Sequence, residues 1–291
     1  STGKSRVDLD EIYPWLLTHD TVKNFLKDFE SMKGILWLDS LNLKGPVLQP
    51  RDWVFEARGR TENFLMTSSF LPDSLGVKQG RVEANQERLS FYDCSARILD
   101  TTLTGSGVFQ GYTQGLRGVS LTLGGEVGEA GNAYLSNLIQ LPEPFRLQSP
   151  LRFTGAKFSW ARGGSISFAG RMTRNNGTTV DLDVTHEPEA LTIKKIAVKD
   201  ASSDASLSLL WSRGEFDLSF AGTLKRSSVD GLLAKNPHFT GTLEGNFEAR
   251  FSLEAPLESK ASGKFSIEGF QYKGKLKQPI TIERAALEAA G

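Results

Sequence analysis

Apolar and polar residues alternate along most of this chain, and the alternation ends again and again at glycine. Trp53-Val54-Phe55-Glu56-Ala57-Arg58-Gly59, Ser165-Ile166-Ser167-Phe168-Ala169-Gly170 and Phe216-Asp217-Leu218-Ser219-Phe220-Ala221-Gly222 carry the pattern most clearly. A period of two sends successive side chains to opposite faces, so each run predicts a strand with one apolar face. From Ile35 onward Gly or Pro breaks the runs about every ten residues, the spacing of short strands joined by turns. Further inward sets are Leu89 with Phe91, Val119 with Leu121 and Leu123, Val180 with Leu182 and Val184, and Leu191 with Ile193. Leu207 with Leu209 and Trp211, Phe247 with Ala249, Phe251 and Leu253, and Phe265 with Ile267 complete the series. Most of these strands are apolar on one face only, as antiparallel meanders are when the other face meets water.

Before Ile35 the period is different. Val22, Phe25, Leu26, Phe29 and Met32 recur at helical spacing while Lys23, Lys27, Asp28 and Glu30 face away, which predicts a helix with Asp20 as N-cap and Gly34 as stop. A shorter turn from Leu9 to Leu16 precedes it, entered or broken at Pro14. The polar face carries both signs of charge, which favours a helix capping one end of a sheet over one lying on a membrane.

Local signals refine the strands. Asn175-Asn176-Gly177 predicts a type I′ hairpin turn, a better reading than the sequon Asn176-Gly177-Thr178 that it overlaps. Lys194-Lys195 interrupts an alternation that resumes out of phase at Ile196 and Val198, so a bulge is expected there. Ser227 to Asn236 predicts one short inserted helix, with Ser227 or Ser228 as cap and Pro237 as stop. Ser-Phe-Ala-Gly occurs at both 167–170 and 219–222, and Ser149-Pro150-Leu151 and Ala255-Pro256-Leu257 each precede a Gly-bounded strand. This is a repeated strand-turn grammar without a strict period. The expected organisation is a helical segment over 1–34, a first β unit over 35–148 and a second, continuous with it, over 149–291.

Composition narrows the function classes. The length of 291 residues suits one extended β body as well as two domains. Lys plus Arg and Asp plus Glu balance at 34 each, so the summed field gives no reason to expect nucleic acid or another polyanion. Eighteen Phe residues argue against a disordered chain. Cys94 is the single cysteine, which rules out an internal disulfide and leaves the redox compartment open. No run approaches the roughly 18 to 20 apolar residues of a membrane helix, and residues 1–30 lack the pattern of a signal peptide. The start at Ser1 and the end just after a charged-apolar run imply an excised segment of a longer protein, with any anchor outside it.

Candidate chemistry is sparse. His19, His186 and His238 are far apart with no acidic or cysteine partner at ligand spacing, so no metal site is expected. Ser1-Thr2-Gly3-Lys4-Ser5 lacks the upstream Gly and strand of a phosphate loop, and Gly105-Ser106-Gly107 and Gly124-Gly125 read as turns. Neither a nucleophile elbow nor an acid-base pair is present. The expectation is a non-catalytic protein without cofactor.

Leu41-Asn42-Leu43-x-Gly45 and Gln49-Pro50-Arg51-Asp52-Trp53, then Phe220-Ala221-Gly222-Thr223-Leu224 with a short helix, then Gly241-Thr242-Leu243-Glu244-Gly245, resemble the AsmA-like family. Ala261-Ser262-Gly263-Lys264-Phe265 to Pro279-Ile280-Thr281-Ile282 continues the resemblance, which covers residues 35–291. It implies a mainly β fold, an extended and strongly curved antiparallel sheet forming an open apolar groove, with an N-terminal helical cap and one short inserted helix. It also implies a bridge-like lipid transport protein of the periplasm, tethered to the inner membrane by an anchor outside this segment. Such a protein moves phospholipid or another acyl lipid toward the outer membrane, where an outer-membrane or periplasmic partner would receive it. The strand residues expected to line such a groove are Trp53, Phe55, Phe91, Leu121, Leu123, Ile166, Phe168, Leu182, Leu209, Trp211, Phe216, Leu218, Phe220, Phe247, Phe251, Phe265 and Ile267. A closed β-sandwich acting as a structural or protein-interaction module would show the same alternation with these residues in a dry core. Period alone does not separate the two.

Overall fold

In the computed structural model of the chain, residues 5–18, 26, 28–45, 54–69, 71–113, 115–272 and 280–289 are described. Sixteen strands pair in chain order into one sheet that is not closed into a barrel. The pairings are antiparallel. Contacts divide the chain into two compact units, Ser1–Gly131 with Lys157–Arg162, and Asn132–Ala156 with Gly163–Gly291. Strand β8 (Leu151–Ala161) contributes to both. No helix among the described residues is long and apolar enough to cross a membrane.

Unit one holds β1 (Ser5–Asp8), β2 (Phe29–Lys44), β3 (Val54–Ser68), β4 (Leu75–Asn85), β5 (Arg88–Ile98), β6 (Thr101–Gln110) and β7 (Gly118–Val127). Helix α1 (Leu9–Leu16) follows β1, capped by the Asp8 side chain, which accepts from the Asp10 amide. Pro14 sits inside it without ending it. Asp10 accepts from the Gly34 amide and the Tyr13 hydroxyl donates to the Phe29 carbonyl at 2.6 Å, which ties α1 to β2.

The helix expected up to Gly34 is corrected in its second half. Phe29 and Met32 belong to β2, while Leu26 is helical and buried; Asp20, Val22, Lys23, Phe25 and Lys27 lie outside the described residues. Register shifts between Phe29 and Ser31 and between Lys33 and Ile35 put two bulges into seven residues. Bulges break the strict alternation, so a strand acquires the three-residue spacing of a helix. Gly34 is a bulge residue of β2 with φ +107°, where a Cβ would stand 2.5 Å from the Asn63 carbonyl oxygen, and not a helix stop.

Helix α2 (Glu129–Leu138) is absent from the sequence expectation. Its cap comes from 30 residues away, where Asp100 accepts from the amides of Gly131 and Ala130 at 2.9 Å each. Those bonds hold the Asp100 carboxyl below its ordinary range. A local search for a capping residue finds none because the cap is tertiary.

Unit two holds β9 (Ile166–Arg174), β10 (Thr179–Glu187), β11 (Ala190–Lys199), β12 (Asp204–Ser212), β13 (Glu215–Lys225), β14 (Phe239–Ser252), β15 (Lys260–Tyr272) and β16 (Ile280–Ala289), with α3 (Arg226–Leu232) between β13 and β14. The β9–β10 turn is not type I′. Only Gly177 has positive φ, and its amide donates to the Arg174 carbonyl, so a type I turn is followed by one left-handed glycine. The register slips between Ile193 and Ile196, which places the bulge at Lys194-Lys195.

The α3 cap is also corrected: Lys225 is the N-cap, with no side-chain bond, and the helix ends at Leu232, short of Pro237. Ser228 turns inward instead, bonding the Ser203 hydroxyl at 2.6 Å and Ser202 at 3.0 Å. Asp200 anchors the same cluster, accepting from the Ser202 and Ser203 amides and from the Thr178 hydroxyl. Burial pushes the Asp200 carboxyl up, but bonds from Ser228, Ser202 and Ser203 outweigh it and hold the pKa below the usual value. So fixed, α3 lays Leu232 onto Met172, Val180 and Val198 to form the buried apolar cluster of unit two.

Candidate functional site

Directly paired residues of neighbouring antiparallel strands point to the same face. Unit two therefore carries apolar rows that run across its strands. Ile166, His186, Leu191, Trp211, Phe216 and Phe251 form the first row. Phe168, Val184, Ile193, Leu209, Leu218, Ala249 and Ala261 form the second. The third is Gly170, Leu182, Ile196, Leu207, Phe220, Phe247, Gly263 and Ala289. The fourth is Met172, Val180, Val198, Ala205, Gly222, Gly245, Phe265 and Leu287, and a shorter fifth is Leu224, Leu243, Ile267 and Ala285. His186 is the one residue in these rows that is neither apolar nor glycine.

Burial changes along the strands. Met172 and Val180 of the fourth row are each 5% exposed beneath Leu232 of α3. At the opposite strand ends Ile166, Trp211 and Phe251 are 43%, 41% and 44% exposed, while Phe168, Leu209, Phe216 and Leu218 are half-buried. A sandwich core would cover all of these. One end of the face is capped, the opposite strand ends are exposed, and the rows between are half-buried or, at Ala249, buried.

Phe220 and Phe247 are exceptions in the middle of the face, buried without a covering layer. Phe265 stands edge-on to Phe220 at 5.5 Å and tilted to Phe247 at 5.9 Å, so the three rings shield one another. The backbone next to them is bent: Gly222 has φ +107°, and a Cβ there would collide with the Asp204 carbonyl of β12. Glycine permits that close approach.

The opposite face is polar and cross-linked by ions. Arg171 donates to both oxygens of Asp181, at 2.7 and 3.0 Å, and Lys195 reaches the same carboxylate. The Arg171 bond chiefly holds the Asp181 carboxyl below its ordinary range. Arg250 bonds Glu215 and approaches Asp217, and Lys264 pairs with Glu288. A shallow depression of about 620 Å³ crosses β11 to β15, and most of its lining side chains, Ser208, Ser219, Glu248, Arg250 and Ser262 among them, belong to this polar register. Five residues of the second apolar row, Ile193, Leu209, Leu218, Ala249 and Ala261, line it as well.

Unit one repeats the arrangement with smaller residues. Leu38, Gly59, Val82, Phe91, Gly107 and Leu121 form one row, and Leu41, Ala57, Ala84, Leu89, Phe109 and Val119 another. Phe55 pairs with Leu43, and Leu123 with Gly105. Phe55, Phe91, Leu121 and Leu123 are half-buried, and Leu41 and Leu43 are exposed.

The described candidate residues in each unit share one face, and Trp53 lies outside the described residues. The sequence reading did not name Leu232, which decides where the face is covered. A helix in a loop gives no hint of which way it folds. Comparison with family models, curated proteins and solved structures finds no match for this chain.

Proposed function

We propose that this protein is a non-catalytic lipid-binding and lipid-conducting segment, in which acyl chains lie against the bare apolar rows. The observation that carries the reading is the half-burial of Phe168, Leu209, Phe216 and Leu218 on a face whose row neighbours are apolar. Left in water, such a face is unfavourable by about 25 cal/mol for each Å² of apolar surface, so an apolar guest is its natural complement. The guest gains as well. Exposing the two tails of a phospholipid costs on the order of 20 kcal/mol at about 0.8 kcal/mol per CH₂. Five rows at two-residue spacing span about 27 Å, against about 15 Å for the tails of one leaflet. Rows of interchangeable Leu, Ile, Val and Phe provide many similar contacts and no single deep site, which passage requires.

On this reading the protein is an AsmA-like bridge of the periplasm, tethered to the inner membrane through a segment beyond this one, and carries phospholipid to an outer-membrane or periplasmic partner. The test is transfer of a fluorescent phospholipid between donor and acceptor vesicles. The wild-type chain should bind and move the probe, and Leu218→Asp should abolish both while the far-ultraviolet circular dichroism and melting midpoint stay close to wild type. Wild-type protein that neither binds nor transfers the probe would refute the proposal.

A further inference from the structure

Helix α2 buries the wrong residues. A surface helix normally turns its apolar stripe to the core and its polar side to water. The residues that α2 encloses are Gly131 and Ser136, and Asn132 beside them donates to the Leu147 carbonyl at 2.7 Å. Leu135, Leu138 and Ile139, spaced i, i+3 and i+4, are instead 43%, 64% and 66% exposed. Phe145, 57% exposed, joins them, because Arg146 bonds Asn137 and the Leu141 carbonyl and so keeps the 3-10 turn Glu143–Phe145 beside the helix end. The arrangement is fixed at both termini. Asp100 caps the first turn, and a Cβ on Gly131 would collide with the Thr101 hydroxyl. At the other end Gln140 takes the left-handed conformation, φ +53°, and the Leu141 amide donates to the Ser136 carbonyl at 2.8 Å, a closure that leaves Ile139 in solvent. Turning the helix to hide its leucines would break these bonds.

The surroundings specify what covers the patch. From Ala130 to Pro142 no residue is charged, thirteen positions in a sequence that is 23% charged, and the nearby Glu143 is already paired with Lys235. A charged partner finds nothing to pair with. Four side chains expose a few hundred Å², short of the roughly 800 Å² that each partner contributes to a standard protein interface. A lipid surface sets no such minimum and has no shape to match. The patch lies in the connection between the seventh and eighth of sixteen strands, so its exposure is not that of a cut end. We propose that α2 and the Glu143–Phe145 turn dock this protein on a zwitterionic lipid bilayer, with Leu135, Leu138, Ile139 and Phe145 dipping into the boundary between head groups and acyl chains. A helix of ten residues lies on a bilayer and does not cross it. The choice of a bilayer as the apolar phase rests on the lipid-conducting reading above. Leu147, at the inner end of the same connection, packs against the covered cluster of Met172, Val180 and Val198, so one short segment joins the docking element to the apolar rows.

Flotation of the full chain with phosphatidylcholine vesicles tests this. The wild type should float with the vesicles equally well at about 0.1 M and about 1 M salt, because screening weakens charge contacts and not apolar insertion. The double variant Leu138→Asp/Ile139→Asp should lower the partition coefficient at least about tenfold. Its melting midpoint should not change, since both side chains are exposed. Capture of a dispersed fluorescent phospholipid, measured without vesicles, should stay within about twofold of wild type in the same variant. A wild type that captures the dispersed lipid yet does not float overturns this inference alone. Flotation without capture leaves it standing and refutes lipid conduction. Flotation that needs anionic lipid and disappears in high salt, a variant that floats like wild type, or lipid-free self-association that the variant abolishes would each overturn it.

Discussion

The two ends of the apolar face in unit two are built from the same residue types and have opposite fates. At one end Met172, Val180 and Val198 are sealed beneath Leu232; at the other Ile166, Trp211 and Phe251 stand more than 40% exposed. What differs is the turn chemistry. The β13–β14 connection carries α3, and the Asp200, Ser203 and Ser228 cluster fixes that helix so that Leu232 folds back over the rows. The β12–β13 turn at the exposed end carries no insert, Ser212 and Glu215 being separated by Arg213 and Gly214 alone, and the short 3-10 turn Pro256–Glu258 of the β14–β15 connection leaves Leu257 fully exposed. One alternating pattern therefore yields a core where something covers it and a bare surface where nothing does.

Charge insertion should separate the ends most sharply. Val180→Asp buries an unpaired carboxylate in the cluster and should cost about 4 kcal/mol or more, enough to unfold unit two. Trp211→Asp, at a ring left 41% exposed, should cost far less, about 1 kcal/mol. Urea denaturation of both variants reads the contrast, and equal losses would mean that the two ends are covered alike.

Removing the cover is the next test. Leu232→Ala should cost about 2 to 5 kcal/mol, as large-to-small core changes do. Binding of an environment-sensitive apolar dye should rise as the capped rows become accessible. A smaller loss is expected at the bend beside Phe220. Gly222→Ala forces a side chain into the left-handed region and against the Asp204 carbonyl, a strain of about 1 to 3 kcal/mol, read from the thermal midpoint.

The Asp200 anchor gives a pH signature of smaller size. Its folded pKa is depressed below the ordinary 3.8, so its contribution is fully present above that value and is lost as pH falls through the folded value. Stability against urea should therefore decline below about pH 4. Asp200→Asn should flatten that part of the profile. An unchanged slope would remove Asp200 from the account of how α3 is held.

Much of the sheet was legible because a half-exposed strand writes its faces into its sequence. Phe216, Leu218 and Phe220 alternate with Asp217 and Ser219, and the register sets the two groups on opposite faces. Lys194-Lys195 marked its bulge by breaking phase. The misreadings arose where partners far along the chain decide the outcome. Phe29 and Met32 look helical because two bulges against β3 disturb their alternation, and α2 draws its cap from Asp100 in the β5–β6 turn. Phe220 illustrates the remaining gap. It alternates like Leu218, yet it is buried by Phe265, which arrives from β15 more than forty positions later. Sequence period gives the face of a residue, and contacts distant in the chain give its exposure.

The claim at the centre is that the bare rows receive acyl chains. It is tested most directly by placing a photo-crosslinking phenylalanine analogue at Trp211, Leu218, Leu210 or Ser219, one at a time, in the purified chain with phospholipid vesicles, and reading adducts by mass spectrometry. Phospholipid adducts should form at 211 and 218 and be absent at 210 and 219, whose register belongs to the polar face. Equal labelling of both faces, or none on either, would contradict the account.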